Sequence, residues 1–209
     1  LSSSALRSRS NVLPDFIVIG AQKSGTTTLA RALGAHPGVF ITEDKEPRFF
    51  IAERNWGRGL AWYEDQFVTA PVGAVRGEAS TGYTVAPEFA GVPARIASVV
   101  PNAKLIYLLR DPVERIQSHH FEAIHWGKQA SRPLAEIVLT DPRYVDRSRY
   151  GYQAQLYLEE FDRSQLLIVF TDDLRTRPQA VLDEVFEFLG VDPGQRDPFA
   201  VDVHNARSE

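Results

Sequence analysis

The sequence predicts an α/β domain: a mostly parallel central sheet flanked by helices. Three observations carry this expectation. Short, continuous apolar runs recur along the chain; each is followed by a loop and then a stretch with helical spacing; and the 209 residues are 44% apolar and 24% charged, enough for one sizeable core. Continuous rather than alternating apolar runs suit strands covered on both faces, as parallel sheets are. A single domain over residues 1–209 is expected, with one or both ends trimmed, because the chain opens on Leu1 and contains no methionine.

Phe16-Ile17-Val18-Ile19-Gly20 is the first such run. After the loop from Gly20 to Thr28, Leu29-Ala30-Arg31-Ala32-Leu33 has helical spacing and stops at Gly34 and Pro37. Lys104 to Leu109 is a second apolar strand, and the helix after it is announced by Asp111 as N-cap, Pro112 at the first helical position and Glu114 in the first turn, running to about Trp126. A third strand, Leu166 to Phe170, precedes a helix that opens at Pro178 and closes at Gly190, with Val181, Leu182, Val185, Phe186 and Leu189 on its core face. The stretch from Gly127 to Ser148 carries Pro133, Pro142 and many charges without a clear period, and is expected to be a flexible loop region beside the site. In an open sheet of this kind, ligands bind at the carboxyl ends of the strands.

Composition excludes several function classes. The net charge is −4, from 23 basic and 27 acidic residues of mixed distribution, so no basic block is present to follow a nucleic-acid backbone. No apolar run approaches the ~20 residues that span a bilayer, and the polar opening from Leu1 to Asn11 resembles neither a signal peptide nor an anchor. The chain has no cysteine, so it has neither disulfides nor a Cys-based zinc site, and a reducing, cytoplasmic setting is expected.

Gly20-Ala21-Gln22-Lys23-Ser24-Gly25-Thr26-Thr27 lies between the first strand and the first helix, where unpaired N–H groups and the positive helix end favour an anion. Gly20 and Gly25 have the separation of a Walker A loop, but that loop needs lysine directly after its second glycine, and Thr26 stands there. The lysine is instead at position 23, from which an ammonium can reach the bridging oxygen of a 5′-phosphosulfate, where leaving-group charge grows. A kinase or NTPase remains a rival at this point, because Asp172 ends the third strand as a Walker B aspartate would.

Lys23-Ser24-Gly25-Thr26-Thr27, Lys45-Glu46-Pro47-Arg48-Phe49-Phe50 and Leu109-Arg110-Asp111-Pro112 together resemble the PAPS-dependent sulfotransferases (PAPS, 3′-phosphoadenosine 5′-phosphosulfate). The likeness runs from about Phe16 to Gly190 and is greatest to the branch of bacterial and heparan sulfate enzymes. It also takes in Gly59 to Tyr63, Gly77-Glu78-Ala79-Ser80, Tyr152 with Leu156, and Phe188 to Gly190. The resemblance implies the P-loop-like sulfotransferase fold and transfer of a sulfuryl group from PAPS to a hydroxyl or amine of a small-molecule or carbohydrate acceptor, releasing adenosine 3′,5′-bisphosphate (PAP), with no metal. It implies that Lys23, Ser24, Gly25, Thr26 and Thr27 hold the 5′-phosphosulfate, with Lys23 on the leaving group. It assigns Arg110 and Ser118 to the 3′-phosphate, and Glu46 to the acceptor's proton. Phe49 and Phe50 are expected in the core.

The chain departs from the family pattern in three places. Arg48 stands where this branch often has histidine and Ala79 where heparan sulfate enzymes carry lysine, so a sulfated polysaccharide acceptor does not follow; and the family's glycine-rich basic segment, which closes over the nucleotide, has no counterpart before Glu209. A non-catalytic nucleotide-binding module is the third reading. His119, His120 and His125 lie on the helix after Arg110 without metal-ligand spacing; His36 reads as a helix stop, and His204 is too near the end to interpret.

Overall fold

A computed structural model describes residues 12–127 and 132–195. Five parallel strands form one sheet: β1 (Phe16–Gly20), β2 (Val39–Ile41), β3 (Val75–Glu78), β4 (Lys104–Leu109) and β5 (Leu166–Phe170), in the order β2-β3-β1-β4-β5. All four pairings are parallel; β1, β2 and β5 are apolar along their length, and β4 is apolar after Lys104. Because β1 is central, the chain leaves it toward β2 and β3 on one side and returns to β4 and β5 on the other. The crevice for a ligand lies where the strand order reverses, at the carboxyl ends of β1 and β4.

The helices are α1 (Thr26–Gly34), α2 (Leu60–Asp65), α3 (Val92–Val99), α4 (Pro112–His125), α5 (Leu134–Thr140), α6 (Arg143–Asp146), α7 (Tyr150–Leu158), α8 (Thr171–Thr176) and α9 (Pro178–Leu189). Alternate residues of β1 face opposite layers. Phe16 and Val18 pack with Leu29 and Leu33 of α1 and Val181, Val185 and Phe186 of α9, whereas Ile17 and Ile19 pack with Tyr63, Phe67, Ile96 and the buried Phe49 and Phe50. This alternation is the period of two that a strand imposes, applied to a run apolar at every position. Gly77 is required where β3 meets β1: a Cβ there would lie 2.2 Å from the Phe16 ring.

The caps follow the sequence. Asp111 Oδ1 accepts from the amides of Val113 and Glu114, at 3.0 and 2.9 Å, and α4 ends at His125 with Trp126 as its C-cap. Gly190 closes α9 in the left-handed conformation, which glycine adopts without a Cβ clash. His36 follows the end of α1, as its place before Pro37 suggested. It also clamps, since its Nδ1 accepts from Gly38 N at 3.0 Å and its Nε2 lies 2.9 Å from the Asp192 carbonyl oxygen.

The expected flexible loop from 127 to 148 is corrected: its described part, from 132 onward, holds α5 and α6. Pro133 and Pro142 occupy the N-cap positions, so they begin helices rather than break them, and Arg132 binds Glu136 at 2.9 Å across the first turn. His204 lies outside the described residues. Among these, no helix is long and apolar enough to cross a membrane.

Candidate active site

The loop after β1 ends against α1 with Gly25 as N-cap, at φ 86° and without a side-chain cap, so the first amides of α1 open toward the crevice. Ser24 Oγ is buried without a partner, and Thr26 is buried beside it. Unspent donors at a helix start are what a bound phosphate or sulfate would engage. Gly20 is needed at the end of β1, because a Cβ would meet Thr84 Oγ1 at 2.0 Å. That hydroxyl donates to the Ile19 carbonyl oxygen at 3.2 Å and closes the loop from below.

Lys23 rises from this loop with φ 69°, and its Nζ lies 3.0 Å from Glu122 Oε1 on α4. Arg110, at the end of β4, donates to the Lys23 carbonyl oxygen at 3.3 Å and pairs with Glu114 at 2.9 Å. Ser118 is one helical step beyond Glu114, so Glu114, Ser118 and Glu122 form a row along α4 between the Arg110 and Lys23 side chains. The structure thus brings Lys23 to Thr27 and Arg110 to one crevice bordered by the face of α4 that carries Ser118.

Glu46 reaches the same place from the other side. Its segment runs along β3's end: Ala79 N donates to the Lys45 carbonyl oxygen at 2.9 Å, and Arg48 N donates to Ser80 Oγ at 3.0 Å. Lys45 Nζ then bridges Glu46 Oε1, at 3.2 Å, and Thr26 Oγ1, at 3.5 Å. Arg48 and Thr81 also donate to the Glu46 carboxylate, at 2.8 and 3.0 Å. Burial alone would raise the Glu46 pKa, but Lys45 and Arg48 outweigh it and hold the carboxyl below its usual value. Glu46 is therefore a held, ionised group rather than a solvated one.

Beneath it, Glu78 is fully buried. Tyr63 and Tyr83 donate to its Oε1, at 2.7 and 2.9 Å, and Ser80 to its Oε2 at 2.5 Å. Burial pushes its pKa up to about 7 against the lowering effect of those donors.

A cleft of about 600 Å³ opens beside the crevice, lined by Gln22, Arg48, Arg54, His119, Glu122, Trp126, Asp141, Arg143 and Arg147, among others. Arg147 bonds Gln22 of the loop and pairs with Glu88 at 2.7 Å. His119 stacks on Tyr144 at 4.3 Å. Burial, and then Arg147 and Arg115, bring its pKa down to about 3, so it is neutral near pH 7. Among the described residues no group of three or more metal-ligating side chains is assembled. Asp172 is in the first turn of α8, paired with Arg175 at 2.8 Å, and the strand before it, β5, is separated from β1 by β4. It is Thr171 that meets the loop, donating to the Ser24 carbonyl oxygen at 2.8 Å, while the Asp172 carboxylate is exposed and held by Arg175, so the kinase reading loses its main support.

A family model of the sulfotransferase domain matches residues 13–202. The chain belongs to this family. Over 201 residues the sulfotransferase domain is 34% identical to the human bifunctional heparan sulfate N-deacetylase/N-sulfotransferase 3, covering 87% of this chain and 23% of that protein. It is 33% identical to the human heparan sulfate glucosamine 3-O-sulfotransferase 3B1, covering 91% of this chain and 50% of that protein. Thus the domain spans from about a quarter to half the length of these relatives. Among solved structures it is similar to a sulfotransferase from Alicyclobacillus acidocaldarius, with a TM-score of 0.79 at 26% identity, over 88% of this chain and 84% of that one. The sheet and loop are those of the P-loop-like sulfotransferase fold.

Lys45, Gln22, Glu122 and Arg147 were not singled out by the sequence, although each touches the loop or the Glu46 carboxylate. Lys45 and Gln22 had a visible signal, as the neighbour of Glu46 in the Lys45 to Phe50 motif and as the residue before Lys23 in the loop.

Proposed function

We propose that this domain transfers the sulfuryl group of PAPS to a hydroxyl or amine and releases PAP. The observation that carries this reading is the Lys45 bridge, which sets the Glu46 carboxylate beside Thr26 of the anion-binding loop. A base and a leaving-group site that share one lysine are arranged for a displacement between them.

In this reading the acceptor oxygen or nitrogen attacks sulfur in line and forms the new bond to it. Glu46 takes the acceptor's proton, and the bond from sulfur to the bridging oxygen of the 5′-phosphate breaks with its electron pair going to that oxygen. Lys23, the amides at the start of α1 and the hydroxyls of Ser24, Thr26 and Thr27 stabilise the charge that develops there. Arg110 and Ser118 take the 3′-phosphate, for which Arg110 exchanges its Glu114 partner; a guanidinium can hold a phosphate through paired hydrogen bonds.

The cleft beside the crevice is the acceptor's place in this reading. Its lining carries four arginines, of which Arg48, Arg143 and Arg147 pair with Glu46, Asp141 and Glu88, and an exposed tryptophan, Trp126. An acceptor bearing negative groups, small or carbohydrate, would find guanidinium donors there by sharing or exchanging those pairs, as a neutral one would not. The test is transfer from labelled PAPS to a panel of neutral and anionic hydroxyl and amine acceptors, with calorimetric titration of PAP. Binding of magnesium-ATP with indifference to PAP would refute the assignment.

A further inference from the structure

Both carboxylate oxygens of Glu122 are held by consecutive residues of the anion-binding loop. Lys23 Nζ binds Oε1 at 3.0 Å, and Gln22 Nε2 lies 3.4 Å from Oε2. The partners are 99 residues apart in sequence, so the contact is made by the tertiary fold rather than by local structure. The same Glu122 lines the acceptor cleft, one helical step beyond Ser118. An anionic group bridging the loop's lysine and glutamine is, in charge and in hydrogen-bonding capacity, what a phosphosulfate oxygen would present to them.

We propose that Glu122 is a positioning residue of the transfer site, a resident carboxylate that occupies Lys23 until the nucleotide takes the ammonium from it. The inference rests on the assignment of the loop to the 5′-phosphosulfate. Two like charges cannot both sit within hydrogen-bond distance of one ammonium without cost, so nucleotide entry must displace or share the ion pair. The exchange keeps Lys23 extended over the loop in the empty domain instead of free in solvent. It also turns the released carboxylate toward the cleft that receives the acceptor. Nucleotide binding therefore changes the charge presented to the acceptor, and the two sites are coupled through one side chain.

A double-substitution cycle on nucleotide affinity tests this, with PAP and adenosine 3′-monophosphate titrated into the unmodified domain, Glu122→Gln, Lys23→Ala and the combined variant. Glu122 is a half-exposed helix residue, and glutamine keeps its size and helical preference, so the fold is retained. Glu122→Gln should tighten PAP binding about 3- to 10-fold, the range of an allosteric or ion-pair coupling of modest size. It should leave adenosine 3′-monophosphate, which has no 5′-phosphate to claim the ammonium, within about 2-fold. In the Lys23→Ala background the gain for PAP should disappear. PAP affinity that Glu122→Gln leaves unchanged or weakens overturns the proposal, as does an equal gain in both backgrounds or for both nucleotides, which would mark diffuse repulsion. If the unmodified domain binds no PAP at all, the nucleotide assignment falls together with it.

Discussion

Lys45 Nζ lies 3.5 Å from Thr26 Oγ1, which joins the segment that carries the Glu46 carboxylate to the loop that follows β1. The same ammonium is 3.2 Å from Glu46 Oε1. Lys45→Met should therefore loosen both sides at once, lowering kcat/KM for PAPS by roughly 10- to 100-fold, the scale of a lost charge-assisted contact in a closed site. Steady-state kinetics with PAPS varied checks this, and an unchanged kcat/KM refutes it.

Lys23→Ala should lower turnover about 10²- to 10³-fold, as loss of one preorganised donor to a developing anion does. PAP affinity should change far less, because the remaining loop donors and Arg110 still hold the two phosphates. Pre-steady-state transfer and PAP calorimetry separate the effects.

Glu46→Gln should cost turnover about 10²- to 10⁴-fold. The pKa of Glu46 is lowered, so the carboxylate stays ionised as pH falls through the ordinary carboxylate range, and the acid limb of the activity profile should lie below it. Arg48→Ala removes one of the groups responsible and should move that limb upward. A rate profile that does not shift between the two proteins counts against Glu46 as the base.

Glu78 provides a stability prediction. Its folded pKa, about 7, is above the unfolded value of 4.5, so folding favours the protonated form. The contribution is fully present below pH 4.5 and is lost as pH rises through 7, a change on the order of 3 kcal/mol in total. Urea denaturation at pH 5 and pH 8 should show this decline, and Glu78→Gln should flatten it. A slope identical in the two proteins would assign the dependence to other groups.

Arg147→Ala should raise KM several-fold more for anionic acceptors than for neutral ones, since the guanidinium lines the cleft, whereas loss of its bond to Gln22 of the loop affects both alike. Paired kinetics on one charged and one neutral acceptor from the panel decides it.

The parts of the fold legible in the sequence were those whose physics is local. Three strands are uninterrupted apolar runs, and Asp111-Pro112 and Gly190 mark helix ends through their own backbone preferences. β2 escaped notice because it is three residues long, and β3 because Val75-Arg76-Gly77-Glu78 is half polar. Its glycine exists for the ring of Phe16 and its glutamate for two tyrosines, neither of which is local. The site divides in the same way. Lys23 and Arg110 stand at strand ends, where a pattern of strand, loop and helix points to them. Glu122 and Arg147 meet the loop across 99 and 125 residues, and such partners leave no spacing to read.

The position of β1 in the middle of the sheet bears on how the domain is assembled. Its neighbours are β3, at 75–78, and β4, at 104–109, so the strand made before both of them is walled in only after some ninety further residues have been made. Pairings of that sequence separation are slow to form. Until then the edge of the strand that β4 takes is unpaired and α9 does not yet lie over Phe16 and Val18, so a nascent chain halted before residue 104 would leave part of its core open to any chaperone or protease that meets it.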